Sequence, residues 1–229
     1  MKLKYITFLL ILISVSLIAE AQKKVVILGT NDTHSGIEPL PANDKQYAGM
    51  GGVEARSAFI KQVRAENENV LLFDAGDFVQ GTPYFNLFHG RVEAEAMDMM
   101  KYNAGTLGNH EFDYGLDTLK MIIKKLKYPI VNCNYDFSNT VMKGMIKPYI
   151  VLKKFGLKIG IVGVGVDPEG LIQKNRYQGM IFKPVISTVN FYAKILKEKE
   201  KCDLIICLSH IGYSDDIILA EQSKNIDLI

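Results

Sequence analysis

The chain has 229 residues, 23% of them charged, with 27 basic against 25 acidic side chains and a net charge of +2. That balance leaves no basic footprint for a nucleic-acid polymer, and seven Pro and 19 Gly are too ordinary for a disordered or fibrous chain. With 48% hydrophobic residues there is enough apolar material for a sizeable core, and one globular α/β domain is expected.

The first 21 residues stand apart. Lys2 and Lys4 precede an apolar run from Tyr5 to Ile18, which closes on Ala19-Glu20-Ala21, a small-residue cleavage pattern. The run is short for a bilayer span of roughly 20 residues. Residues 1–21 therefore read as a cleaved signal peptide and 22–229 as a mature domain, periplasmic or secreted. No Cys stands at the cleavage site to carry a lipid, and no later segment has the length and apolarity of a span.

From there, strand-like and helix-like runs alternate. Residues 24–30 (KVVILGT) form a buried strand. The stretch 51–69 starts in glycines and becomes an amphipathic helix, and 69–77 (NVLLFDAGD) is a strand with its exit loop. Residues 91–102 predict a helix with Met on its inner face, and 103–110 a short strand entering a polar loop. A helix over 116–127 and a strand over 128–134 come next. Residues 149–164 read as a hairpin turning at Phe155-Gly156, followed by a helix over 185–200, a strand over 202–210 and a short helix over 214–224. Residues 225–229 (NIDLI) begin another strand, expected to be unpaired beside an exposed or frayed sheet edge. Apolar runs of four to eight residues alternating with helices indicate a largely parallel sheet covered on both faces, and the hairpin adds an antiparallel part. Cys133, Cys202 and Cys207 are odd in number, lack C-x-x-C spacing and sit in or beside apolar runs, as small hydrophobes do.

The polar residues collect just past the strands. After VVILGT come Asn31, Asp32, Thr33 and His34; after VLLFDA come Gly76 and Asp77; after AGTL come Asn109 and His110; after LIICLS comes His210. Carboxyl ends of strands form the ligand crevice of open α/β sheets, so these distant positions can meet. Taken singly they mean little: a Gly-Asp is usually a turn, and one His at a strand end is usually just hydrogen-bonded. The loop TLGNHEFDYG (106–115) is harder to explain blandly, because Asn109, His110, Glu111 and Asp113 share it. Carboxylates, neutral imidazoles and an amide oxygen suit a divalent site for Zn, Mn or Fe. Two such ions about 3.5–4 Å apart, bridged by a carboxylate such as Asp77, polarise a phosphate oxygen and activate water for in-line attack.

Other signals lead nowhere. Gly163-x-Gly165 has Pro168 where a dinucleotide fingerprint needs Gly or Ala, no G-x-S-x-G is present, and KEKEK (197–201) is a solvated helix end. His89 reads as an exposed loop residue near a helix start.

LGTNDTHSG, DAGDFVQGTP, TLGNHEFDYG and ICLSHIGYSDD together resemble the calcineurin-like metallophosphoesterases. More narrowly, the chain from about residue 24 is similar to the N-terminal catalytic domain of bacterial periplasmic 5′-nucleotidases, a group that includes UDP-sugar hydrolases and 2′,3′-cyclic nucleotide phosphodiesterases. The resemblance implies a four-layer α-β-β-α sandwich with mixed sheets and a secreted phosphoesterase acting on nucleotides. It implies two divalent metal ions, whether Zn, Mn, Mg, Co or Fe. Asp32 and His34 would hold the first, Asn109 and His210 the second, and Asp77 would bridge. His110 would stay off the metals, stabilising the transition state or protonating the leaving oxygen, with Asp113 orienting its ring and Glu111 supporting the loop. The family also has a Gly-His-x-His loop after the next strand, and a C-terminal domain that stacks the base and grips the phosphate. Here that strand is NIDLI, and the sequence stops at Ile229. The expectation is therefore a sandwich incomplete at its C-terminus, with five of the seven protein ligands, less than two metals per chain and little or no turnover. The alternatives are a degenerate metal- or phosphate-binding remnant, or a half that needs a separate C-terminal nucleotidase chain.

Overall fold

Side-chain alternation builds two sheets packed back to back in the computed structural model, which describes residues 23–229. The expected signal peptide lies outside the described residues. The first sheet has the order β1 (Val26–Thr30), β2 (Val70–Asp74), β3 (Ala104–Gly105), all parallel, with Val26 opposite Val70 and Phe73 opposite Ala104. The second has the order β5 (Tyr149–Lys154), β6 (Leu157–Gly165), β8 (Leu204–His210). β5 and β6 are antiparallel, and β6 and β8 parallel with Ile161 opposite Ile206. A two-residue ribbon, β4 (Tyr135–Asp136) with β7 (Ile181–Phe182), is separate from both.

Successive residues of a strand point to opposite faces, and here each face finds a different core. Leu71 and Phe73 of β2 meet Ile159 and Ile161 of β6 and Ile206 and Leu208 of β8 between the sheets. Leu72 points the other way, into a cluster with residues of α1 (Gly52–Glu66), α2 (Pro83–Phe88), α3 (Arg91–Met100) and α4 (Gly115–Lys125). Val162, Val164, Ile205 and Cys207 face outward on the second sheet, against Val189 of α5 (Val185–Lys194), Leu196 in the π-helical turn Ile195–Lys199 that continues it, and Leu219 of α6 (Tyr213–Gln222). The layers run helix, sheet, sheet, helix, as the resemblance implies. Met97 and Met100 are buried on the inner face of α3. Cys133, Cys202 and Cys207 are buried and free, and burial pushes the Cys133 thiol up to about 12.

The hairpin turns where expected. Phe155 (φ 57°) and Gly156 (φ 73°) both adopt the left-handed region, the combination that a two-residue turn needs to match strand twist. Two expectations are corrected, and one element is added. Residues 128–134 are not a continuous strand, because their backbone passes among three partners within five residues. Gly105 N donates to Pro129 O, Val131 N to Gly105 O, Asn132 N to Lys147 O, and Cys133 N to Gly163 O, so the segment stitches the first sheet to the second. Pro129 has no N–H to continue a ladder. NIDLI is not unpaired: Cys207 N donates to Leu228 O and Asp227 N to Ile205 O, in a parallel bridge beside β8. Finally, the six-residue α2 was not anticipated. Pro83 begins it and His89, at φ 50°, ends it.

The stitch leaves no room at Gly163. A Cβ added there would lie 2.2 Å from Val131 O, a backbone atom of the residue whose N–H is tied to Gly105 O. Gly163→Ala is expected to destabilise by about 2–3 kcal/mol, lowering Tm by roughly 5–10 °C. Differential scanning calorimetry checks it, and an unchanged Tm would mean the sheets are not joined this way.

Candidate metal centre

The loops after β1, β2, β3 and β8 converge at the carboxyl ends of both sheets. The first two are laced by their backbones. Asp32 N donates to Gly76 O, His34 N to Asp77 O and Ser35 N to Phe78 O, each at 3.0 Å, and Ser35 Oγ accepts from Gln80 N. Asp32, His34, Ser35 and Asp77 all have φ between 40° and 57°. Non-glycine residues rarely adopt this region, and such strain persists where surrounding bonds over-determine it. The third loop approaches so closely that only glycine fits: a Cβ on Gly108 would lie 2.1 Å from Asp77 Oδ1 and 2.8 Å from His210 Nε2.

Glu111 ties the loops together. It is buried, and its carboxylate accepts from Asp77 N (3.0 Å), Phe78 N (2.9 Å) and Gly108 N (2.6 Å). Burial, and next the Asp77 charge, push its carboxyl up to about 8, against the pull of those amides. Glu111→Ala strands three buried N–H groups, so a loss of about 3 kcal/mol or more is expected in metal-free urea unfolding. An unchanged midpoint would show that the loops hold without it.

At the centre stands Asp77, 2% exposed. Its Oδ2 lies 3.5 Å from His34 Nε2 and 3.2 Å from His210 Nε2, and Asp32 Oδ1 lies 3.6 Å from His34 Nε2. Ligand atoms of His34, Asp77 and His110 all lie within 4.8 Å of one another, as do those of Asp32, Asp77 and His210. Asp77 belongs to both groups, the position a bridging carboxylate requires. Burial works to raise its carboxyl, but the hydrogen bond and charge of His210 outweigh burial and hold it below the usual range. Burial likewise works to lower His210, and Asp77 overcomes it, raising that imidazole to about 9. His210 Nδ1 donates to Ala75 O at 2.8 Å, which turns Nε2 toward Asp77.

His34 Nε2 is buried without a hydrogen-bond partner, yet faces two carboxylates. A divalent cation fits such a donor set of imidazole nitrogens and carboxylate oxygens.

Asp113 Oδ2 takes His110 Nδ1 at 2.9 Å, leaving Nε2 as the free nitrogen, and His110 N donates to Asp77 Oδ1 at 2.8 Å. The His34 and His110 rings stand edge to face, 5.1 Å between centroids. Asn109 is half-buried, one residue past Gly108, where it opens the single 3₁₀ turn His110–Phe112. The structure thus brings Asp32, His34, Asp77, His110 and His210 together, with Asp32 Oδ1 beside His34 Nε2 and Asp77 common to both groups of converging donors. Asp113 also lines a cavity of about 520 Å³ shared with Gln80, Asn86, Tyr114, Gln173 and Arg176. His89 is exposed at the end of α2, packed edge-on against Tyr114.

Two supporting residues escaped the sequence reading. Asp74 is 1% exposed and accepts from Thr30 Oγ1 (2.6 Å) and Gly76 N (3.0 Å), pinning the exit of β2 to that of β1. Burial pushes its carboxyl up to about 7, with the Thr30 hydrogen bond opposing. The signal was a carboxylate at the end of an apolar strand, where a partner is obligatory. Ser35 carries no comparable signal.

Residues 25–229 match the family described as calcineurin-like phosphoesterase. The chain is 33% identical over 213 residues to a snake venom 5′-nucleotidase of Naja atra, covering 90% of this chain and 40% of the relative. It is 32% identical over 233 residues to the NAD 5′-nucleotidase of Haemophilus influenzae, covering 97% of this chain and 38% of the relative. Among solved structures, a 5′-nucleotidase precursor from Thermus thermophilus superposes with a TM-score of 0.81 at 32% identity, over 88% of this chain and 40% of the other. The chain spans about two fifths of the length of these relatives. No helix among the described residues is long and apolar enough to cross a membrane.

Proposed function

The chain belongs to the calcineurin-like phosphoesterase family, and from that premise we propose that it is a metal-dependent hydrolase of nucleotide phosphate esters. One observation carries the reading: Asp77 is shared by two sets of converging donors, one of which includes His110, whose Nδ1 is held by Asp113. Asp32, His34, Asp77, Asn109 and His210 would hold two divalent ions, of Zn, Mn, Mg, Co or Fe. Bound there, the ions supply Lewis-acid polarisation of a phosphate oxygen and activation of water.

The chain's own residues do the rest. Asp113 accepts from His110 Nδ1 and so orients the ring, turning Nε2 away from that contact. His110 Nε2 then serves as the donor to a phosphoryl oxygen gaining charge, or passes its proton to the leaving oxygen. Glu111 holds the Asp77 and Gly108 backbones in register while this happens. The cavity beyond Asp113 offers amide, phenol and guanidinium groups on the leaving-group side.

The nucleotide substrate is supported by relatives named 5′-nucleotidase and NAD 5′-nucleotidase. Those relatives are more than twice as long, which leaves room for base recognition on a further segment or a separate nucleotidase chain. The basic, apolar and A-x-A pattern of residues 1–21 supports export to the periplasm or medium. The test is phosphate release from AMP and from glycerol 3-phosphate, with Mn²⁺ and with a chelator. The reading expects whatever release occurs, even a low one, to depend on Mn²⁺ and to favour AMP. Chelator-insensitive release, or equal release from both esters, would overturn it.

A further inference from the structure

Beneath the turn that carries His34 lies a second polar cluster. Glu93, in the first turn of α3, is 3% exposed, and both of its carboxylate oxygens are buried without a hydrogen-bond partner. Arg56, on α1, has a buried Nη1 in the same condition, while its Nη2 donates to Gly36 O at 3.4 Å. Both side chains line one small cavity together with Thr33, Ser35, Gly36 and Ile37. Its volume of about 10 Å³ is close to what a single water needs.

A buried guanidinium nitrogen and a buried carboxylate that face one cavity, neither atom hydrogen-bonded, are costly, and removing one member of such a pair costs more than replacing both. A water accepting from Arg56 Nη1 and donating to Glu93 satisfies these groups within the space present. The turn above depends on what lies below it. Gly36 N donates to Thr33 O and Val53 N, at the start of α1, to Ile37 O, while His34 and Ser35 sit at left-handed φ. Arg56 grips that turn by Gly36, and Glu93 faces the same cavity from α3.

We propose that Arg56 and Glu93, bridged by one buried water, form a positioning pair that fixes the Thr33–Ile37 turn and so the approach of His34 to the metal centre. The proposal rests on the metal reading above and concerns residues that touch neither ion nor substrate. The test is Mn²⁺ titration of the metal-free protein by calorimetry, with far-UV circular dichroism confirming the fold of each variant. Removing a partner that orients a ligand typically weakens metal binding about 10–100-fold. Glu93→Leu is expected to weaken Mn²⁺ binding by about that factor, whereas Glu93→Gln, which still reaches the water, should stay within roughly threefold of the parent. Arg56→Lys keeps the charge but loses the guanidinium fork, and should weaken binding about tenfold even if the leucine variant fails to fold. Parental affinity in Arg56→Lys or Glu93→Leu, or a Gln variant as weak as the Leu, would overturn the positioning pair. Asp32→Ala separates the two claims. Lost Mn²⁺ binding there beside parental binding in Glu93→Leu overturns the pair alone, whereas parental binding in Asp32→Ala overturns the metal centre and the pair's role with it.

Discussion

His110→Ala should reduce phosphate release on the order of 10²–10³-fold while the metal content stays near that of the parent. The reason is the separation of tasks in the loop that joins β3 to α4. Asp113 occupies Nδ1 of His110, and the backbone N–H of the same residue, not its ring, holds Asp77 Oδ1. Removing the ring therefore deletes a donor aimed at developing charge and leaves the Asp77 contact intact. Because the His110 ring also lies within 4.8 Å of ligand atoms on His34 and Asp77, the experiment decides between two roles. Metal content falling in parallel with activity would make His110 a ligand. Asp113→Asn should show the same defect in milder form, since the ring remains but is less firmly oriented. Activity at each metal concentration, with bound metal measured on the same samples by plasma emission, separates these outcomes.

Asp77→Asn should be more severe, because it acts on both donor groups at once. Asp77 is the acidic member common to the Asp32–His210 set and the His34–His110 set, and Asn is neutral and offers one good ligand oxygen. Bound metal should fall at both positions, with turnover dropping further than in His110→Ala. A readout independent of turnover is available. A ligand at 100 times its Kd stabilises the folded state by about 2.7 kcal/mol, so excess Mn²⁺ should raise the parent's Tm by roughly 5–10 °C. The same Mn²⁺ should leave the Tm of Asp77→Asn nearly unmoved. A variant that keeps the shift would show that the cations sit elsewhere.

The residues that converge were legible because chemistry confines them. Asp32, His34, Asp77, His110 and His210 are types that a solvated loop does not need together, and each follows an apolar run short enough to be a strand. The layers were legible for a related reason: Leu71 and Phe73 face one way and Leu72 the other, so period-two alternation already encodes a sheet with two buried faces. What escaped is what depends on contacts made through space. How closely the donors approach one another is set by the lacing of the 32–35 loop onto the 76–78 loop, and no spacing in the chain encodes that. Asp74 and Ser35 act only through those neighbours. Residues 128–134 carry an apolar run with no period of their own, so the shift from β3 to Lys147 to β6 could not be read from them. The six-residue α2 is too short to display a helical period, and Pro83 at its first position was its one signal.

The central claim is that cations occupy the space between Asp77 and the imidazoles of His34 and His210. Anomalous scattering at the manganese edge, from crystals grown with Mn²⁺, tests it most directly. The expected map has its strongest peak within about 2.0–2.4 Å of an Asp77 carboxylate oxygen, with an imidazole nitrogen of His34 or His210 completing its contacts. A map whose peaks all lie away from Asp77, with His34 and His210 still turned toward its carboxylate, would contradict the account.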